Sequence, residues 1–529
     1  MKLFSILALS SLLSFQAYAQ KAAPANWFNL DAKKDKVWGI STERAYAELP
    51  IGKKPTKVIV AVIDAGTDIN HEDLKDNLWV NPNEIAGNGI DDDKNGYIDD
   101  VNGWNFIGGK DGNVKEDTYE FTRILGSYIE KGYGEKEIPP FKTKPEEELF
   151  IQARKMQKDK YDEINGQYEQ FKSILKMLEE MTARTGSKNP TVEQVDALKV
   201  EGKQENGIKS LVKYIAKTGG IENSPIMGQF KEAEEQLGTM VNYNLNLKFN
   251  PRKLVGDNYE DVSEKFYGNN TVDAPNAEHG THVAGIIAAN RGNDLGIKGI
   301  CGEAVIMTLR VVPNGDERDK DIANAIRYAA DHGAKVINMS FGKKLSPHKE
   351  LIDEAVKYAM SKDVLMVHAA GNDAEDIGIS KFYPMSKFNN GDKASNWIEV
   401  GASGWQKGKG RVANFSNYNK TDVDIFAPGV DLNSTMPGSK YKSQDGTSMA
   451  APVVAGVAAL VRQNYPQLSA SQTKQIILMS AVPCKEKVLI PGTKTKTKLK
   501  ELCATGGIVN AYQALLLAEK VANGEVKLP

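Results

Sequence analysis

Val58-Ile59-Val60-Ala61-Val62-Ile63-Asp64 is apolar at both odd and even positions until its last residue, and most of its side chains are β-branched. Such a run suits a strand buried on both faces, the situation of a central strand in a parallel sheet covered by helices. It stops at Asp64, which puts a carboxylate at the carboxyl end of the strand, where open α/β sheets gather their ligands and reactive groups. Further along, the pattern alternates. A helical stretch at 283–289 precedes an apolar run at 305–312, a helix at 321–330, the strand Val336-Ile337-Asn338-Met339, a helix at 350–360 and a strand at 364–367. This alternation predicts an α/β protein, three-layer α/β/α with a mainly parallel sheet. The stretch 449–461 is apolar all round, as a helix buried on every side would be.

The chain has 529 residues, and 67 Lys+Arg against 69 Asp+Glu leave a formal net charge of −2. No global positive field draws it to nucleic acid or anionic lipid, so a nucleic-acid partner is not expected. Three cysteines exclude a disulfide framework or a thiolate metal cluster. Lys2, the apolar run 3–15 and Ala17-Tyr18-Ala19 have the layout of a secretory signal over 1–19, cleaved near Ala19. The run is too short to span a bilayer and no later stretch is apolar enough, so a secreted or periplasmic protein without a membrane span is expected. Cys484 and Cys503 flank a turn at Pro491-Gly492 and could close a hairpin as a disulfide. Cys301 is then left over as a small buried hydrophobe.

The predicted organisation is 1–19 signal, 20–107 first part of the α/β core, 108–276 a helical insertion, and 277–529 the rest of the core with a C-terminal hairpin and helix. The insertion is rich in Lys, Glu and Gln. Tyr161, Ile164, Tyr168, Phe171, Leu175 and Leu178 recur in steps of three and four, a seam that needs a partner helix. Thr191 and Gln194 have capping-box spacing at the start of a second helical pattern reaching 215. A module that packs on itself beside the cleft should be separable, so replacing 110–251 with a short linker is expected to leave a folded core.

Three polar residues stand out by position. Asp64 ends the first strand, His279 opens His279-Gly280-Thr281-His282-Val283-Ala284-Gly285, and Ser448 lies in Gly446-Thr447-Ser448-Met449-Ala450-Ala451-Pro452 at the mouth of the apolar helix. A serine hydroxyl is a weak nucleophile that needs a neutral imidazole to take its proton and a carboxylate to hold that imidazole in one tautomer. All three types are present, in the order Asp, His, Ser. The zinc alternative, with His279 and His282 three apart, lacks the intervening glutamate of a His-Glu-x-x-His helix.

On these motifs the chain resembles the subtilisin-like serine peptidases, or subtilases, which use that order. The resemblance covers 57–81 and 277–482. It implies a serine-type endopeptidase acting on protein or peptide substrates through catalytic Asp64, His279 and Ser448. It departs at Ala65, where the family usually has Ser or Thr. By the same resemblance the Asn372 amide in Ala369-Ala370-Gly371-Asn372 is one oxyanion donor and the Ser448 N–H a second. Ser340, Phe341 and Gly342 form a substrate-binding edge, and with Ala369, Ala370 and Gly371 they wall the main pocket. No acidic residue stands among those six, so apolar or large neutral side chains are expected there.

Asp91-Asp92-Asp93-Lys94-Asn95-Gly96-Tyr97-Ile98-Asp99-Asp100 has the spacing of an EF-hand-type calcium loop, with Asp91, Asp93, Asn95, Tyr97 and Asp99 as ligand positions. Asn102 replaces the usual final Glu, and Asp100 or a carbonyl could substitute. The subtilase resemblance raises the expectation of structural calcium, with no organic cofactor. The rival reading is a secreted binding protein on an inactive peptidase scaffold. An esterase is disfavoured because Gly-Thr-Ser lacks the Gly-x-Ser-x-Gly elbow.

Overall fold

The computed structural model of the chain describes residues 23–51, 56–218, 220–221, 224–274 and 276–529. The proposed signal at 1–19 lies outside them. The main sheet contains, in chain order, β1 (Val58–Asp64), β2 (Gly103–Asn105), β3 (Ala304–Arg310), β4 (Val336–Met339), β5 (Leu365–Ala369), β6 (Trp397–Ser403), β7 (Ile425–Pro428), β8 (Val482–Pro483) and β9 (Gly507–Ile508). Their order across the sheet is β8-β9-β7-β6-β5-β4-β1-β3-β2. Every pairing is parallel except β8 with β9.

The principal helices are α1 (Glu120–Glu130), α2 (Lys144–Arg184), α3 (Gly202–Lys217), α4 (Pro225–Thr239), α5 (Glu278–Ala288), α6 (Asp319–Asp331), α7 (Lys349–Ser361) and α8 (Thr447–Asn464). Alternation along β1 separates the two faces of the sheet. Val58, Val60 and Val62 enter one core with residues of α5 and α8, such as Val283, Ile287, Val454 and Val457. Ala61 and Ile63 enter the other with Ile322, Ile326, Ile352 and Val356 of α6 and α7. The layers are therefore α5/α8, sheet, and α6/α7, the predicted three-layer α/β/α fold. At about 25 cal/mol per Å² of apolar surface buried, a strand hidden on both faces is anchored more firmly than any surface element. Its carboxyl end is a rigid place to mount Asp64.

In the insertion, α2 is one helix of 41 residues. Leu178 of the predicted seam, with Ile174 and Met181 from outside it, packs against Ile208, Leu211 and Ile215 of α3 and Phe230 of α4, while Phe171 and Leu175 are only partly buried there. Tyr161 is 37% exposed and stands outside that contact. The capping box forms with both of its hydrogen bonds, yet its helix ends at Asp196 and α3 starts afresh at Gly202. The helices of the insertion fall between Glu120 and Asn244, with non-helical segments such as 131–143 and 197–201 between them. The segments on either side join the sheet layers, since Val114, Val255 and Tyr267 belong to the α6/α7 core.

The cysteine expectation is corrected, because Cys484 and Cys503 are both free and buried. A hairpin does form between Lys487–Leu489 and Lys496–Lys498. However, the Cys484 N–H donates to the Gly506 carbonyl at 3.1 Å, so the register places Cys484 opposite 506 rather than 503. Among the described residues no helix is long and apolar enough to cross a membrane.

Candidate active site

Asp64 is 1% exposed. Its Oδ1 accepts from the Ala65 N–H at 2.7 Å and from Nδ1 of His279 at 2.7 Å. Its Oδ2 is buried without a hydrogen-bond partner, and Ala65 has no hydroxyl to offer it. His279 comes this close because α5 begins against the end of β1. A Cβ on Gly280 would lie 2.1 Å from the Gly66 carbonyl oxygen and 3.1 Å from Cβ of Asp64, so only glycine permits the approach. A carboxylate can only accept, so Nδ1 of His279 carries the proton and Nε2 is left as the basic nitrogen. Burial alone would depress the imidazole pKa. The charge of Asp64 and its hydrogen bond outweigh this and hold it above the ordinary value.

His282 is buried, with Nε2 against the carbonyls of Leu432 at 3.1 Å and Lys442 at 3.0 Å. Burial pushes its pKa down to about 4. Its Nε2–H is committed to the backbone, so His279 and His282 do not form a metal pair.

Ser448 opens α8, in which every residue between Met449 and Gln463 is buried. Pro452 inside the helix has no N–H for the Ser448 carbonyl four residues earlier. That carbonyl accepts instead from Oγ of Ser340 at 2.8 Å, while Oγ of Ser448 donates to the Ser340 carbonyl at 3.0 Å. The missing helix hydrogen bond is thus replaced by a reciprocal pair that docks the serine on the end of β4. Asn372 follows β5, and its Oδ1 accepts from both N–H (2.9 Å) and Oγ1 (2.8 Å) of Thr447. The Gly371 N–H in turn donates to Oγ1 of Thr447 at 3.1 Å. With its oxygen held twice, the amide presents Nδ2 as its free end.

A cavity of about 660 Å³ contains Ser448, Thr447, Asn372, Gly371, Ala369 and Ser340 through Leu345. A neighbouring one of about 510 Å³ contains His279 and also reaches Ser340. Of the six wall residues expected from sequence, Ser340, Phe341, Gly342, Ala369 and Gly371 line the first cavity. Ala370 does not: it is fully buried among Val412, Val423 and Phe426, because successive residues past a strand end face opposite ways. The lining also includes Tyr119, Glu120, Phe121, Met156 and Asp159 of the insertion, together with Asp316 and Asp373. Acidic side chains outside the six therefore border the cavity, as do Lys160, Lys343 and Lys344, of which Lys343 pairs with Glu120 and Lys344 with Asp373.

Sequence reasoning missed Thr447 and Phe382. Thr447 had the signal of adjacency to Ser448. Phe382 had none, since its contact with the glycines of both walls arises only in three dimensions: a Cβ on Gly342 or Gly371 would meet its ring at 2.4 Å or 3.0 Å.

The expected calcium loop folds with a different set of converging oxygens. Asp99 accepts from the N–H groups of Gly87, Asn88 and Gly89, and Asp91 from those of Asn95 and Gly96. The Tyr97 side chain packs on Trp104 and Tyr328, and Asn95 donates to Asp100. Asp91 and Asp99 thus accept from loop N–H groups, as Glu84 and Asp93 also do, and the group that Tyr97 would offer a cation is its backbone carbonyl. The carboxylates that converge are Glu84, Asp93 and Asp100, with oxygens within 4.8 Å of one another. Among the described residues no Lys or Arg pairs with any of the three, and Nε2 of His332 lies 3.6 Å from Oδ2 of Asp100. Burial raises the pKa of both Glu84 and Asp100, and for Glu84 the charges of Asp100 and Asp93 add to it. Three crowded hard-oxygen donors without a Lys or Arg among the described residues suit a divalent cation such as calcium.

A parallel α/β/α sheet bearing an Asp–His pair, with a serine at a helix mouth beside a tethered amide, defines a serine-nucleophile arrangement. The chain belongs to the subtilase family, whose model matches residues 55–507. It is 45% identical over 184 residues to a thermophilic serine proteinase of Bacillus sp. (strain AK1), covering 35% of this chain and 42% of that protein. It is 40% identical over 197 residues to subtilisin Savinase of Lederbergia lenta, covering 37% and 67%. The chain thus spans less than half the length of the thermophilic relative. Among solved structures, a protease from Pseudoalteromonas arctica superposes with a TM-score of 0.37 at 30% identity, covering 45% of this chain and 70% of that one.

Proposed function

We propose that this protein is an exported serine endopeptidase that cleaves protein or peptide substrates through Asp64, His279 and Ser448. The observation that carries the reading is the 2.7 Å contact between Nδ1 of His279 and Asp64, which leaves Nε2 free to act as a base. In the reaction, Oγ of Ser448 exchanges the Ser340 carbonyl for Nε2 of His279, gives up its proton there and attacks the scissile carbonyl. Asp64 stabilises the imidazolium that forms. The oxyanion receives Nδ2 of Asn372 and the N–H of Ser448, one of the first-turn helix donors without an intrahelical acceptor. His279 then protonates the leaving amine, and water, deprotonated by the same Nε2, releases the acyl group. Glu84, Asp93 and Asp100 would hold a calcium ion, which supplies charge compensation and rigidity to the loop rather than chemistry. Export rests on the signal-like residues 1–19.

Fluorophosphonate labelling of the purified chain, with casein hydrolysis in parallel, tests this reading. Wild type should label and cleave, and Ser448→Ala should do neither. Casein hydrolysis that survives Ser448→Ala refutes it, and an unlabelled, inert wild type favours the binding scaffold.

A further inference from the structure

Lys343 is an unusual residue to follow a substrate-binding edge, since its side chain has no exposure at all. Its ammonium donates to Oε2 of Glu120 at 2.6 Å and to the Glu317 carbonyl at 2.7 Å, and it lies 2.7 Å from Oδ1 of Asp319 as an ion pair. These three partners come from two places. Glu317 and Asp319 belong to the segment after β3, whose Asp316 lines the Ser448 cavity, and Glu120 opens the first helix of the insertion. Lys343 itself continues the edge Ser340-Phe341-Gly342 on the same cavity. One buried cation therefore ties two walls of the cleft to each other and to the insertion.

Glu120 is built to serve that cation. Its side chain is 3% exposed and also accepts from Nε and Nη2 of Arg123 at 3.2 Å and 2.9 Å. Arg123 reaches the carbonyls of Asp316 and Glu317, and the Glu120 N–H donates to Oδ2 of Asp316 at 2.8 Å. Apolar contact follows the same line, since Leu125, Phe150 and Ala153 of the insertion enclose Leu345 just past the edge. On the other side, Lys343 exchanges backbone hydrogen bonds with Tyr383 at 2.9 Å and 2.8 Å. The edge is staked from both sides, and one stake comes from the insertion.

We propose that Glu120 is a positioning residue for peptide substrates: acting through Lys343, it sets the spacing between the 316–319 and 340–343 walls, which makes the insertion a working part of the cleft. The proposal rests on the peptidase reading of that cleft. A peptide long enough to lie along both walls depends on their spacing, whereas a small acyl group that touches only Ser448 and Asn372 does not. The predicted signature is an effect on KM that grows with substrate length, which general destabilisation would not produce.

The test compares wild type with E120Q on a short amino-acid ester and on a peptide anilide of six residues, with fluorophosphonate labelling alongside. E120Q should label within about twofold of wild type and keep its ester kcat/KM within about twofold, while KM for the long peptide rises about tenfold with kcat little changed. Equal losses on ester and peptide, or no change on either, overturn the proposal. Should E120Q not fold, the E120L/D319N/K343M triple variant removes the cation together with both of its carboxylate partners, which a buried cluster tolerates better than one broken pair. It should show the same KM effect, and a wild-type KM overturns the proposal. Wild type itself gives a check independent of any variant, because a bound hexapeptide boronate should slow amide exchange in 117–123 together with 340–344. Protection confined to 340–344 overturns the proposal. A wild type that takes no fluorophosphonate overturns the peptidase reading and this proposal with it, whereas the other refuting results remove this proposal alone.

Discussion

Thr447→Val isolates one hydroxyl of the candidate oxyanion site while keeping its shape. In the folded chain Oγ1 of Thr447 donates to Oδ1 of Asn372 and accepts from the Gly371 N–H. Valine loses both, but the backbone N–H at 447 still holds Oδ1. Removing a whole oxyanion donor costs about 2.7–4 kcal/mol of transition-state stabilisation, which sets the scale for Asn372→Ala at about 10²–10³ in kcat. Loosening its orientation by one of two hydrogen bonds is worth about 1 kcal/mol, or roughly fivefold in kcat, with KM unchanged. Folding stability should also fall by about 1–3 kcal/mol, since the Gly371 N–H is buried and loses its acceptor. The assay is steady-state hydrolysis of a peptide anilide by wild type, T447V, N372A and the double variant, with urea unfolding of each. If Thr447 acts through Asn372, T447V should leave kcat unaltered in the N372A background. A fivefold loss that persists there, or a change confined to KM, refutes the reasoning.

The remaining predictions concern the base, the cation, the helix and the insertion. A neutral imidazole is the competent base, and Asp64 raises the His279 pKa, so activity should rise with pH through a midpoint above the ordinary value of about 6.5. Asp64→Asn should lower kcat and move that limb to lower pH, and a limb that stays in place would deny Asp64 its charge role. EDTA at low salt should lower the melting temperature, because calcium at about 100 times its Kd adds about 2.7 kcal/mol. Glu84→Gln should abolish that difference, whereas Asp99→Asn should weaken the loop without abolishing it. Met449 follows the candidate nucleophile but is 1% exposed, so peroxide should inactivate slowly and Met449→Leu should prevent the loss. Equal sensitivity of that variant would place the damage elsewhere. Replacing 110–251 with a linker removes Asp117, Glu120 and Arg123, strands buried Arg318 and takes from buried Lys343 one of its two carboxylates. At about 3–5 kcal/mol for each broken buried pair, the product should fail to fold, so the separable-module expectation is withdrawn. A soluble, cooperatively melting product would reinstate it.

What could be read from the residues in order was whatever depends on near neighbours. The apolar run 58–63 had to be a buried strand, the alternation after 278 had to be a covered parallel sheet, and Gly-Thr-Ser before an apolar stretch had to sit at a helix mouth. Each of those follows from periodicity and capping, which act over a few residues. Asp64, His279, Ser448 and Asn372 were legible because each sits at an element end that the pattern itself locates. The rest was decided by contacts across long stretches of chain. Ala370 turned inward because the chain leaves β5 with a fixed alternation of faces, and the 484–506 register separated two cysteines that sequence would have joined. Glu84 lies outside the ten-residue run, and only the folded loop brings its carboxylate beside those of Asp93 and Asp100. Lys343 reads in sequence as a surface lysine, and only packing reveals it as fully buried and matched by Glu120, 223 residues away. Burial makes an unpaired charge costly, so its partners are fixed by the tertiary fold, to which local sequence pattern is blind.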